Sequence, residues 1–376
     1  MQVLEGAFWF CLFMTFYPYA IYPLLVAALA RSKNRPWQQS DACPRISLII
    51  SVFNEEEIIH QKVENTLALD YPEELLEIVV VSDGSTDGTD EVVRSFHDKR
   101  VILKAYERAG KTACLNRAID EVRGEVVVFT DANSMFPESM LKNIARNFSD
   151  AEIGLVTGWT KYCRAGFEQE EAPGLYARLE MLTKDFESRI SSCVGADGAI
   201  FAIRKELYRR LETCDINDFV IPLNVVGQGR RVVLDADVYC LEEPAGGAKK
   251  EFYRQARITN RTLGAIWRNL QYLDPVHHGW FAVFLLSHKV LRFCVPFFAA
   301  GMLATSCMLL PGNVFYGLVA VVLGCFIVAG GVGWLGWTQT RFAALSGTFL
   351  LTNLAQVVGW FRFVMGRADT LWTPQR

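Results

Sequence analysis

The stretch Ile78-Val-Val-Val-Ser-Asp-Gly-Ser-Thr-Asp-Gly-Thr-Asp90 constrains the fold more than any other part of this chain. Its unbroken apolar, β-branched start reads as a strand buried on both faces, the habit of a parallel sheet. The strand stops at Asp83 and turns through Gly84. A helix is predicted behind Ser85, Thr86 and Asp87, which are good N-caps. In an open α/β sheet, ligands bind at the carboxyl ends of strands. A carboxylate there accepts hydrogen bonds from a nucleobase or a ribose and repels phosphate, unlike a loop rich in glycine and lysine. Taken alone, the turn reads equally well as a capped strand–helix connection.

It has companions. Arg45 to Glu57 is a second buried strand ending in polar residues, and Gly124 to Asn133 is a third that closes on Asp-Ala-Asn. Strands are predicted over 46–53, 77–82, 100–105 and 125–130, alternating with helices over 56–68, 87–96, 111–122 and 137–147. That alternation specifies a mostly parallel sheet with helices on both faces. Beyond it the pattern loosens. A strand is expected over 154–162, a helix over 170–189, a Gly-rich turn entering a strand at 195–203, and a helix from Asn217 to Gly227. Two short strands around 231–241 and a basic helix over 249–273 complete the soluble part.

SVFNEEE, VSDGSTDGT, KTACLNRA and FTDAN, in this order and spacing, resemble the family-2 glycosyltransferases with a GT-A fold. The likeness spans roughly 45–260 and extends more distantly to processive synthases of the hyaluronan, chitin and cellulose type. It implies an α/β, Rossmann-like catalytic domain that transfers a sugar, with inversion, from a nucleotide-diphospho-sugar. A uridine donor is expected, as is a lipid-linked or growing saccharide acceptor in cell-surface glycan assembly.

Residue by residue, the chemistry distributes as follows. Asn54 and Glu55 end the first strand, where a base or ribose would rest; Glu55 also fits a capping box. Asp83 contacts the nucleoside if the resemblance holds. Lys111 opens a helix, a place the helix dipole makes unfavourable for a cation, so it asks for an anion such as a diphosphate. Asp131 and Asn133 offer two oxygen ligands at i and i+2, suited to Mg²⁺ or Mn²⁺ completed by diphosphate oxygens and water. The family more often has aspartate at both positions. Asp218 is the expected catalytic base, with Asn217 beside it where the family shows a second acid; a helix N-cap is the competing role. Asp197, in Gly-Ala-Asp-Gly-Ala, fits acceptor hydroxyls or a plain turn. Arg254 and Arg257 suit the diphosphate, although the Gln-x-x-Arg-Trp element of processive synthases is incomplete here, or they suit lipid.

Thirty-eight basic against 41 acidic residues leave no nucleic-acid footprint. The apolar excess sits at the two ends. Residues 3–30 carry no charge after Glu5, long enough to span a bilayer, and Arg31, Lys33 and Arg35 follow, which orients that span from outside to inside. Three more candidates cover 293–310, 314–337 and 342–363. Residues 280–292 suit either an interfacial helix or the cytoplasmic end of the first of these. Three C-terminal crossings would carry Arg367 and Arg376 outside, against the positive-inside expectation. A re-entrant or interfacial last segment, with a cytoplasmic tail, removes the conflict. Ten cysteines without a C-x-x-C pair read as reduced, packed thiols. The expected partition is a membrane helix over 1–30, a linker over 31–44, the GT-A domain over 45–245, interfacial helices over 246–292, membrane helices over 293–364 and a tail over 365–376. The catalytic domain is expected on the cytoplasmic side of the inner membrane, with membrane lipids as partners. Two rivals remain: a processive synthase that exports its polymer, and a non-catalytic scaffold with a transferase-like domain.

Overall fold

The computed structural model describes residues 1–164, 169–170, 174–244, 247–335 and 340–367. Contacts divide these into two compact units. One holds residues 26–244 with 268–284, and the other holds 1–25, 247–267, 285–335 and 340–367.

The first unit is built on a sheet of β1 (Ile46–Val52), β2 (Leu76–Asp83), β3 (Val101–Tyr106), β4 (Val126–Asp131), β5 (Ile153–Arg164), β7 (Ile200–Arg204) and β8 (Arg231–Glu242), with a short β6 (Gln169–Glu170). Strand order is β3-β2-β1-β4-β7-β5, with β8 parallel to β5 and β6 on the end of β5. β1 to β4 pair in parallel, and β7 is antiparallel to both of its neighbours. This is the GT-A type of α/β fold expected from the sequence. Every residue of β1 is buried, as its unbroken apolar run requires. Burying one such side chain contributes about 1.5–3 kcal/mol.

Register decides where the polar strand ends emerge. Val52 pairs with Ser82, Ser51 with Asp131, and Asp83 with Tyr106. The segments 53–55, 83–87 and 131–134 therefore leave the sheet at one edge. Helices seal its faces: Lys111–Glu121 buries Thr112, Cys114, Leu115, Ala118 and Ile119, one stripe at helical spacing. The linker after the first membrane helix is strapped down. The Arg35 amide donates to the Arg189 carbonyl (2.6 Å), Trp37 Nε1 to Asn147 Oδ1 (2.6 Å), and Arg231 Nη2 to the Arg35 carbonyl (2.9 Å).

Among the described residues, four helices are long and apolar enough to cross a membrane: Gln2–Ser32, Trp280–Leu309, Val314–Trp334 and Arg341–Val364. Residues 280–292 are continuous with the span that follows, through a π-helical turn at Leu285–Val290. Within the second unit, Tyr17 OH lies 3.0 Å from Ser287 Oγ, joining two π-helical turns. The last helix has a revealing course. At its start, Gly333 packs directly on the Ala343 backbone. At its end, Trp360 Nε1 donates to the Phe293 carbonyl (2.8 Å), and the Arg367 carbonyl accepts from Asn260 Nδ2 (2.7 Å). Gly333 and Phe293 each stand about 24–29 Å along their helices from the 310–313 turn that joins them, at 1.5 Å per residue. The last helix thus starts and finishes near one face. Of the predicted 338–341 connection, residues 338–339 lie outside the described residues, as does the predicted tail from 368 onward.

Candidate active site

Asn54, just past β1, adopts φ 54°, a left-handed conformation that asparagine tolerates better than most residues. Its Oδ1 accepts from the Thr86 amide (2.8 Å) and its own amide donates to Ser85 Oγ (3.1 Å), so the turns after β1 and β2 are tied together. Glu55 is buried and is the N-cap residue of the Glu56–Leu67 helix without a side-chain cap bond, so no capping box forms. The helix behind β2 starts at Thr89 with Gly88 as its cap. Asp87 is spent one step earlier, accepting from the Glu56 amide (3.2 Å) and the Thr89 amide (3.1 Å).

Asp83 is 2% exposed. Its carboxylate accepts from the amides of Ala109 (2.7 Å) and Gly110 (2.9 Å) and from Arg108. Gly84, at φ 68°, lets this loop approach: a Cβ there would stand 2.7 Å from the Arg108 amide nitrogen. Arg108 also lies over the Phe53 ring, 3.4 Å from its centroid. Asp83 therefore holds the 108–110 loop against the end of β2. Arg108 and Phe53 thus gather beside Asp83, and neither stood out in the sequence. Arg108 sits two residues before the Gly-Lys that opened the recognised motif, and that was its one signal.

Lys111 is the first residue of its helix, and its ammonium is ion-paired with Asp131. The anion it meets in the structure is this carboxylate. Asp131 closes β4 and Asn133 follows in the turn, both partly exposed. Among the described residues no cluster of three or more His, Cys, Asp or Glu side chains is gathered to hold a metal. One carboxylate and one amide fit a hard cation that keeps water and phosphate oxygens in its shell, and they do not form an all-protein cage.

β7 and the Asn217–Gly227 helix bring together the residues expected on the acceptor side. Thr130 pairs with Ile200, so β7 begins beside the end of β4. The Gly195–Gly198 turn precedes it. A Cβ on Gly198 would lie 2.8 Å from Asp218 Oδ2, so this glycine packs directly on the expected base. The helix carries Pro222, which has no N–H to give the carbonyl four residues back. That carbonyl is Asp218's, and it accepts instead from the Ala196 amide (2.7 Å). The N-cap is Ile216, without a side-chain cap, so neither Asn217 nor Asp218 serves as one. Asn217 is 8% exposed, and its Nδ2 has no hydrogen-bond partner among the described residues. Asp197 is partly buried, bonded to Thr160 Oγ1 (3.0 Å) and the Ala199 amide (3.0 Å), and desolvation raises its pKa. Asp215, another acid nearby in sequence, is tied to Arg268 and to the Glu212 amide (2.9 Å).

Arg254 and Arg257 lie on the Ala248–Arg268 helix of the other unit, where Arg254 pairs with Glu251 (2.7 Å).

The model of the family described as glycosyl transferase family 2 matches residues 47–211. The chain carries a family-2 glycosyltransferase domain. Its relatives include the probable glycosyltransferase YdaM of Bacillus subtilis, 35% identical over 34% of this chain and 32% of that one. A beta-monoglucosyldiacylglycerol synthase of Nostoc is 26% identical over 35% and 29% of the two chains. A poly-beta-1,6-N-acetyl-D-glucosamine synthase of Staphylococcus aureus is 28% identical over 42% and 39%. The chain thus matches about a third of the length of these curated relatives. Among solved structures, the mannosyltransferase PcManGT of Pyrobaculum calidifontis, in complex with GDP-Man and Mn²⁺, superposes with a TM-score of 0.71. It is 21% identical, and the match covers 97% of this chain and 99% of that one. The likeness in fold accordingly runs over nearly the whole chain.

Proposed function

We propose that this family-2 enzyme transfers a sugar, with inversion, from a nucleotide-diphospho-sugar to a lipid-linked or saccharide acceptor at the membrane face where nucleotide sugars are made. One observation carries the reading. The start of β7 brings the Asp131 turn and Asp218 to the same sheet edge, leaving-group chemistry on one side and a carboxylate base on the other.

In this reading the turns at 54–55 and 83–86 and the Arg108 loop receive the nucleoside. Asp83 acts mainly by holding that loop. Asp131 and Asn133 are the residues that would hold a divalent ion, and an ion there supplies charge neutralisation for the departing diphosphate. Lys111, now on Asp131, has the reach and charge to turn to the diphosphate. Asp218 takes the proton from the acceptor hydroxyl as that oxygen attacks the anomeric carbon from the face opposite the leaving group. One displacement inverts the centre. Asn217 Nδ2 offers a donor to an acceptor oxygen, and Asp197 supports the turn beneath it.

The names of the relatives agree in kind: a glycolipid synthase and a polysaccharide synthase are among them, and the structural neighbour holds GDP-Man and Mn²⁺. Incubating the purified chain with a panel of UDP- and GDP-sugars, with Mg²⁺, Mn²⁺ or chelator, tests the reading. Nucleotide release that requires metal and acceptor supports it. Absence of release with every donor would leave the scaffold role. A ladder of long products would mark a processive synthase.

A further inference from the structure

Lys62 has no place in the chemistry above, yet it is completely buried. It lies on the Glu56–Leu67 helix among Ile59, Val63 and Thr66. Its ammonium donates to the Ser134 carbonyl and to Thr130 Oγ1 (3.3 Å), and stands 3.7 Å from the centroid of the Phe136 ring. These three residues bracket the Asp131–Asn133 pair. The same turn is held from its other side by β8: Ser134 Oγ bonds to Glu242, and Met135 and Leu241 exchange backbone hydrogen bonds of 2.9 and 2.8 Å. A buried ammonium is expensive to desolvate, and a leucine or methionine would fill the volume without that cost. The charge is therefore retained for what it holds. Its neighbours are backbone and side-chain oxygens of one turn, and that turn presents the two cation ligands.

We propose that Lys62 is a positioning residue for the cation-binding turn, fixing its backbone so that Asp131 and Asn133 present their oxygens to one ion together. The inference rests on the reading that those two residues bind the ion. Removing a group that orients metal ligands typically weakens metal binding about 10- to 100-fold. Lys62 also places positive charge near the ion, so its removal by itself would strengthen binding; a loss of affinity thus reports geometry.

The test uses the full chain in detergent. Mn²⁺ binding is read from the free-ion EPR signal, alone and with UDP, for wild type, Lys62→Met, Lys62→Gln and Asp131→Ala, with a melting curve for each. Lys62→Met, folded, is expected to bind Mn²⁺ at least about ten-fold more weakly, and Lys62→Gln, which keeps a donor, to recover part of that loss. Folded Lys62 variants that both bind Mn²⁺ within two-fold of wild type overturn the proposal. If neither Lys62 variant folds, Thr130→Val, which removes one of the ammonium's partners at constant shape, decides on the same two-fold limit. Asp131→Ala separates the two ideas. If it too binds Mn²⁺ normally, the metal reading itself fails; if it alone loses Mn²⁺, only the role of Lys62 fails.

Discussion

Gly198 is the residue where a single methyl group acts most directly on the chemistry. A Cβ there meets Asp218 Oδ2 at 2.8 Å, so Gly198→Ala must push the carboxylate aside. Such overpacking costs about 1–3 kcal/mol, and turnover is expected to fall by about ten- to a hundred-fold, with nucleotide affinity unchanged in a titration of the same variant. Lys62 gives a second prediction. Burial pushes its ammonium down to about 7, whereas an unfolded lysine keeps its proton to about 10.4. Between those values the unfolded state binds more protons, so this residue makes stability rise with pH from about 7 to about 10. Melting temperatures of wild type and Lys62→Met across that window check the sign: the wild type should gain relative to the variant. Asp83 and Asp131 stand out in the sequence because each carboxylate lies where an apolar run stops, whereas Asp218 stands out only through the family resemblance. Lys62 was not, because a charged residue in an amphipathic pattern reads as the solvated face. Arg108 was missed because its partners, Asp83 and Phe53, come from two other strands.

Among the elements, the helix behind Asp218 is the informative one. Pro222 frees the Asp218 carbonyl for the Ala196 amide, and so couples the base to the Gly195–Gly198 turn. Pro222→Ala returns an N–H that competes for that carbonyl. The helix gains and the turn loosens. One net hydrogen bond is worth about 1 kcal/mol, so the acceptor KM is expected to rise by about five-fold while donor KM holds; equal changes in both would refute the coupling. Element boundaries were readable where burial was continuous, as in β1 to β4. β8 was expected as two strands and is one. Thr157 pairs with Leu234 and Trp159 with Tyr239, so residues 235–238 bulge opposite Gly158. Asp235 and Asp237 in that bulge turn to Arg146 (2.9 and 2.7 Å), and two aspartates in a strand read as its end. Likewise the predicted 137–147 helix is Met140–Ala145 followed by a 3₁₀ turn, Arg146–Ser149.

For the whole molecule, the course of the last helix bears on membrane topology. Composition permits four crossings, yet Gly333 and Phe293, the partners of its two ends, stand at similar depth from the 310–313 turn. Three crossings with an interfacial last helix put Arg31, Lys33, Arg35, Lys249, Arg362 and Arg367 on one side, as the positive-inside rule asks. In intact cells, single cysteines introduced at Ser85 and Arg367 in a cysteine-free background should resist an impermeant thiol reagent, and one at Gly312 should react. Labelling at Arg367 from outside would restore the fourth crossing. Labelling at Ser85 would overturn the orientation altogether.

The central claim is that Asp218 is the base and Asp83 belongs to the nucleotide, and the Asp218→Asn variant tests it most directly. Asparagine keeps the size of the side chain and removes its capacity to take a proton. Turnover with saturating donor and acceptor should fall by about two to four powers of ten, while nucleotide affinity, measured on the same preparation, stays within about two-fold of wild type. Asp83→Asn, measured alongside, should lose nucleotide affinity first. An Asp218→Asn enzyme that transfers sugar at the wild-type rate would contradict the account, because no proton acceptor would then be left at the position the whole site is built around.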